Sequence, residues 1–258
     1  MSNGTSEEEL RACWRAEYAR PFVGWDFSVF GERRVSLRRP DTWDYTANVL
    51  AAVEGARCML DMDTGGGEKL ADLPRRPPLT VATEGYAPNL ALERRRLEPL
   101  GVRVLDVRDV SRLPLGAEPF DLVTNRHGAY DAAELLRVLR PGGRFVTQQV
   151  GGRTNRRLHE LLGDPTPVSD WRLAKAVQEL EAAGFHILEQ CEKFPIVRYA
   201  DVGAVVYYLK AVPWEVPDFS LDRYFDRLLA MHALIEAEGH LDVGFHQFFI
   251  IARKPPTR

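Results

Sequence analysis

The feature that most constrains this chain is a succession of short apolar runs, each followed by an amphipathic segment, that begins near Arg57. Alternation of that kind builds parallel strands, because a parallel pair needs a long crossover, usually a helix, to return along the sheet. The pattern predicts strands over residues 57–62, 79–83, 102–107, 120–125 and 144–150, each rich in Val, Leu or Phe. A helix is predicted over 88–100, with Pro88 in its first turn and Gly101 just beyond its end. A second, over 131–139, is stopped by Pro141-Gly142-Gly143. Further helices are expected over 171–183 and 221–237, and further strands over 186–194 and 244–253.

These elements organise the 258 residues as one α/β domain. Residues 1–55 form a mostly helical lead-in rich in aromatics, 56–194 and 242–258 form the sheet and its helices, and 195–241 form an insertion with breakers at Pro213 and Pro217. The lead-in and the insertion are both expected to act as lids. With 45% hydrophobic and 28% charged residues the chain has the balance of a folded protein with a sizeable core. A net charge of -3 supplies no general field for a polyanion, which disfavours nucleic acid as a partner. Three scattered cysteines, Cys13, Cys58 and Cys191, draw neither a disulfide framework nor a metal-ligand spacing, and no metal is expected. No apolar run approaches the roughly 18 residues that cross a bilayer, and the expected location is the cytoplasm.

The chemistry concentrates where the first predicted strand runs into a glycine-rich turn: Met59-Leu60-Asp61-Met62-Asp63-Thr64-Gly65-Gly66-Gly67-Glu68. Such a turn lets the backbone approach a ligand closely at the carboxyl edge of a sheet. A dinucleotide fingerprint would place a third glycine where this chain has Leu70, and Asp61, Asp63 and Glu68 would repel a pyrophosphate. The same carboxylates suit a ligand bearing an ammonium and a sulfonium. Glu84, at the end of the second predicted strand, is placed to accept hydrogen bonds from both hydroxyls of a ribose. A tight structural turn is the competing reading of the glycines taken alone.

Together with Asp109-Val110, Leu113-Pro114, Phe120-Asp121-Leu122-Val123 and Arg140-Pro141-Gly142-Gly143-Arg144-Phe145, this ordered set resembles the class I S-adenosylmethionine-dependent methyltransferases over residues 57–150. The resemblance implies a doubly wound, mostly parallel seven-stranded sheet with an antiparallel last strand, and S-adenosylmethionine as cofactor. It implies that Asp61, Gly65 and Gly67 line the methionine side, that Glu84 holds the ribose, that Asp109 and Val110 border the adenine, and that Asn125 faces cofactor and acceptor. The family usually has Gly where this chain has Asp63, which is read as orienting the cofactor's amino group. Asn125-Arg126-His127, Thr147-Gln148-Gln149-Val150-Gly151 and the stretch from Asp201 to Lys210 resemble a subgroup of small bacterial methyltransferases, without naming an acceptor.

On the acceptor side, His127 follows the fourth predicted strand and is read as a general base for a hydroxyl or amine, against the alternative of a structural histidine. Trp25, Tyr45, Gln148, Tyr207 and Trp214 are expected to line the substrate pocket or its lid, with core packing as the competing reading. A small-molecule acceptor is expected. The alternatives are an RNA or protein methyltransferase that uses Arg94-Arg95-Arg96 and Arg153, Arg156 and Arg157 as an acceptor track, and a non-catalytic protein that binds S-adenosylmethionine. An NAD-dependent oxidoreductase is a further rival that the missing glycine disfavours.

Overall fold

The computed structural model describes residues 6–22, 25, 27–37, 43–117, 119–163 and 169–256. In chain order its elements are α1 (Glu7–Ala19), β1 (Arg34–Leu37), α2 (Tyr45–Val53), β2 (Cys58–Met62), α3 (Glu68–Ala71), β3 (Leu79–Glu84), α4 (Ala87–Leu97), β4 (Arg103–Asp106) and β5 (Phe120–Arg126). There follow α5 (Ala132–Val138), β6 (Leu139–Val150), α6 (Arg156–Leu162), α7 (Leu173–Ala183), β7 (His186–Lys193), β8 (Ile196–Tyr199), α8 (Val202–Ala211), α9 (Leu221–Glu238), β9 (Leu241–Gly244) and β10 (Gln247–Arg253).

Seven strands form one sheet in the order β4-β3-β2-β5-β6-β10-β7. The first five are parallel, and β10 runs antiparallel to both β6 and β7. The strand order reverses between β2 and β5, which opens a crevice at their carboxyl ends. Because successive side chains leave a strand on opposite faces, each buried pair divides between two layers. Met59, Leu122, Val146 and Phe249 pack with α2, α3 and α4 on one face. Leu60, Val123, Phe145 and Phe248 pack with α5 and α7 on the other. Asp121 ties the amino ends together: its carboxylate accepts the Arg57 and Cys58 amides, each at 2.8 Å, and pairs with Arg140. That part of the motif set therefore serves the sheet, at the edge away from the crevice.

The lead-in and the insertion meet in a second, antiparallel sheet, β1-β8-β9, that the sequence pattern did not disclose. The strand expected over 244–253 starts only at Gln247 in the large sheet, and Gly244 instead ends β9 (Leu241–Gly244) of the small one. With α1, α6, α8 and α9 the small sheet surrounds a core of its own that includes Trp14, Phe30, Tyr199, Leu228 and Val243. Every residue of α8 except Lys210 is buried, so the helix has no polar face and carries no amphipathic period in its sequence. Arg33 fastens the parts together. Its guanidinium makes paired bonds of 2.8 and 2.7 Å to Asp201 and a third of 2.7 Å to Glu17 of α1, while Asp201 also caps α8 through the Ala204 amide at 2.9 Å. The Arg33–Asp201 pair is partly solvated, so most of the contribution of Asp201 lies in the cap. Asp201→Ala is expected to cost about 1–2 kcal/mol of folding stability, read from urea denaturation.

Candidate functional site

The parallel register brings the carboxyl ends of β2, β3 and β5 level: Asp61 lies beside Ala82 and Thr124, and Met62 beside Thr83 and Asn125. Beyond β2 the chain turns through Asp63, at φ 52°, then Gly65 and Gly67, at φ 71° and 81°. Left-handed backbone carries little penalty at glycine and is tolerated by Asp. The turn is packed closely on both sides. A Cβ at Gly65 would lie 2.7 Å from the Trp25 indole, and one at Gly67 would lie 2.9 Å from Leu97 of α4. Arg96 of α4 clamps the turn by bonding the Gly66 carbonyl and the Glu68 carboxylate.

Asp63 replaces the glycine of the resemblance and is accommodated by a neighbour. Its side chain rests against Gly128, where a Cβ would overlap it, and its carboxylate accepts the Ala129 amide. Asp63 is thereby turned toward the loop after β5. Asp61 accepts a hydrogen bond from the Thr124 hydroxyl, and Thr64 donates to the Asp61 carbonyl at 3.1 Å. Glu84 is buried, accepts the Tyr86 amide at 2.7 Å and lies 3.5 Å from the Asn89 side-chain amide. These carboxyl groups crowd one another. Burial raises Asp61 to about 6, and burial together with the charges of Glu84 and Asp61 raises Asp63 to about 6. The Tyr45 phenol, enclosed beside Asp61 and Thr124, is held protonated well above its ordinary range by burial and then by the Asp61 charge. Among the described residues no three His, Cys, Asp or Glu side chains are grouped so as to hold a metal ion.

The residues expected on the acceptor side separate into two groups. Asn125 is fully buried and committed to the protein: its Oδ1 accepts from Thr147 and Gln149, and its amide reaches the Met62 and Ala129 carbonyls. Gln149 also bonds the Gly128 carbonyl at 3.1 Å. Asn125 and Gln149 thus set the shape of the 127–129 loop from behind. Gln148 instead joins Trp43 to His127. The Trp43 indole N–H, which can only donate, binds Gln148 Oε1 at 2.8 Å, so the Gln148 amide group must point at His127 Nε2, also 2.8 Å away. His127 Nε2 is therefore the acceptor and Nδ1 carries the proton. His127, at φ 66°, keeps a solvent-accessible face, while the surrounding protein and then the Arg126 charge lower its pKa to about 3.

The aromatic residues divide in the same way. Tyr207 is buried and bonds the Pro21 carbonyl at 3.0 Å, which makes it a fastening between α8 and the lead-in. Trp25 and Trp214 are exposed and in edge contact, with ring centroids 5.4 Å apart, and Trp25 stands over the Gly65 turn. Asp109 is exposed with its carboxylate on Ser111, and Val110 packs against the edge of the core. The arginine runs are largely paired within the molecule: Arg96 to Glu68, Arg94 to Glu98, Arg156 to Glu160 and Arg157 to Glu238. Thr124 and Gly128, which adjoin Asp61 and Asp63, and the buried Glu93 of α4 were not singled out by sequence reading. Glu93 had a usable signal, an acidic residue at a helical core position between Leu90 and Leu97.

No protein-family profile matches the chain, and no curated protein matches it. Solved structures do resemble it. A protein from Bacillus halodurans provisionally assigned as a methyltransferase superposes with a TM-score of 0.57 at 19% identity, over 81% of this chain and 98% of that one. Phosphoethanolamine N-methyltransferase 2 of Haemonchus contortus, bound to phosphomonomethylethanolamine and S-adenosylhomocysteine, gives 0.50 at 14% identity, over 97% of this chain and 58% of the other. The [4+2]-cyclase SpnF gives 0.50 at 20% identity, over 81% of both chains. The chain has the fold of the class I S-adenosylmethionine-dependent methyltransferases. That the cyclase shares the fold shows that the fold alone does not select the chemistry.

Two outcomes test this geometry. The imidazole 15N shifts of His127 should report the neutral, Nδ1-protonated ring throughout pH 5–8, and Trp43→Phe should convert them to a mixture of tautomers. Gly128→Ala, which forces a methyl into Asp63, should lower stability by about 1–3 kcal/mol in chemical denaturation.

Proposed function

We propose that this protein is a methyltransferase that uses S-adenosylmethionine and acts on a small molecule through a hydroxyl or amine. The observation that carries the reading is the crowding of Asp61, Asp63 and Glu84 around a glycine turn at the switch point of the sheet. A ligand with an ammonium and a sulfonium offsets that repulsion, whereas a pyrophosphate would add to it. When bound, S-adenosylmethionine supplies a methyl group on a positively charged sulfur that departs as a neutral thioether.

In this reading Glu84 would hold the ribose hydroxyls, and Asp61 with Gly65 and Gly67 the methionine portion. Val110 would border the adenine beside Asp109, whose carboxylate is already occupied by Ser111. Asp63 and Asn125 fix the loop after β5. Trp25, above the turn, and Trp214 beside it would exclude water and align the acceptor, the main contributions that displacement at a sulfonium asks of a protein. His127 is a weak base with its Nε2 lone pair taken by Gln148, and we assign it to positioning the acceptor through its Nδ1–H in preference to removing a proton. An acceptor that is already nucleophilic, such as a neutral amine, suits this arrangement. The internal pairing of the arginines weighs against an RNA track. We treat lead-in, core and insertion as one unit in which the first and last together cap the crevice. The unpaired thiols Cys13, Cys58 and Cys191 suit a reducing compartment, in keeping with the cytoplasm, and no described helix is long and apolar enough to cross a membrane.

Calorimetry with S-adenosylmethionine, S-adenosylhomocysteine and NAD tests the reading: the first two should bind and NAD should not. Glu84→Gln and Asp61→Asn should each weaken the binding about 10- to 100-fold while the protein stays folded, the loss expected for a charge-assisted hydrogen bond. Transfer of labelled methyl to a protein- and RNA-free extract would support the small-molecule acceptor. Transfer that requires RNA or protein would replace it.

A further inference from the structure

Glu93 lies outside every role assigned so far. It sits on the inner face of α4, fully buried, and neither of its carboxylate oxygens has a hydrogen-bond partner among the described residues. Acidic side chains are almost never buried in that way unless paired, since an unpaired buried charge forfeits its hydration without compensation. Asp61 of β2 and Glu84 of β3 face Glu93, and Arg94 of its own helix adds a weaker attraction. Arg96, two residues further along α4, is committed to Gly66 and Glu68. The Thr64 hydroxyl, which bonds the Asp61 carbonyl at 3.1 Å, adjoins Glu93 and favours its ionised form, but by less than burial and the two neighbouring carboxylates oppose it. A carboxyl group in such surroundings is stable when it carries its own proton.

We propose that Glu93 is a further residue of the cofactor site that keeps a proton while the site holds no cation and releases it to solvent when a cationic ligand enters. The inference rests on the methyltransferase reading for the identity of the ligand and on the buried carboxyl itself for the coupling. The added positive charge beside Asp61 and Glu84 reverses the balance: it relieves their repulsion of Glu93 and favours the ionised form. Burial, then the charges of Glu84 and Asp61, push Glu93 up to about 8, so the proton is held at neutral pH and its release falls in an accessible range. Asp61 and Asp63, raised only to about 6, are largely ionised above pH 7, so between pH 7 and 8.5 the titrating groups are Glu93 and the ligand's own α-amine, and the latter is common to wild type and variant. The sulfonium makes S-adenosylmethionine more positive than S-adenosylhomocysteine by one charge, and the coupling should be correspondingly stronger for it.

Calorimetry at pH 7.0 in buffers of different ionisation enthalpy counts the released protons. Wild type should release a substantial fraction of one proton with S-adenosylmethionine and less with S-adenosylhomocysteine, and its affinity for the former should rise several-fold from pH 7 to 8.5. Glu93→Gln, which keeps the shape of the protonated acid, should bind with neither proton release nor that rise. Equal proton release and equal pH dependence in the two proteins would overturn the proposal. Binding of neither ligand to wild type would instead overturn the methyltransferase reading, and the assigned ligand of Glu93 with it. A ligand-free measurement stands apart from both. Because the folded pKa is raised, stability from this group is present at low pH and lost as pH rises toward 8, so urea midpoints should fall between pH 6.5 and 8 in wild type and stay flat in Glu93→Gln. A flat wild-type profile would show that Glu93 holds no proton and would overturn the proposal.

Discussion

The structure turns on carboxyl groups drawn partly or wholly out of water at the switch point of the sheet. Asp61, Asp63, Glu84 and Glu93 come from two strand ends, the turn between β2 and α3, and helix α4. Arg126 and Arg94 attract members of the group but do not offset the burial, and the raised pKa values of Asp61, Asp63 and Glu93 express that imbalance. A cluster with an unmet demand for positive charge is a candidate binding site before any ligand is named.

Around this group the backbone is fixed with little room to move. Trp25 covers Gly65 from the lead-in, Leu97 supports Gly67 from α4, and Arg96 bonds the carbonyl between them. On the opposite wall, Asn125, Thr147 and Gln149 hold the 127–129 loop, while Trp43 and Gln148 select the tautomer of His127. Most polar groups that looked available in the sequence are therefore already bonded, and their role is to hold shape. In the proposed function, the groups left to a substrate are the Trp25–Trp214 edge, His127 Nδ1 and the carboxylates.

The cap adds a second core to a fold common to several chemistries. Its core is separate from those of the large sheet and is assembled from segments far apart in the chain, β1 from the lead-in and β8 and β9 from either side of the insertion. Arg33 joins these segments through Glu17 and Asp201, so the position of Trp25 and Trp214 is set by the same contacts that fold the cap.

The sequence by itself determined the large sheet, its parallel order, the glycine turn and the presence of Asp61 and Glu84 at strand ends. These depend on patterns that repeat every two or every 3.6 residues and on glycine at sharp turns, and such signals are local. Tertiary structure alone decided the small sheet, the wholly buried α8, the compensation of Asp63 by Gly128, and the chain of bonds from Trp43 through Gln148 to His127. Each joins residues distant in sequence, and whether a polar side chain binds a ligand or a neighbour depends on what packing brings within about 3 Å of it. Glu93 lies between the two: its helical position was visible, but the charges that give it a function come from strands it meets only in the folded chain.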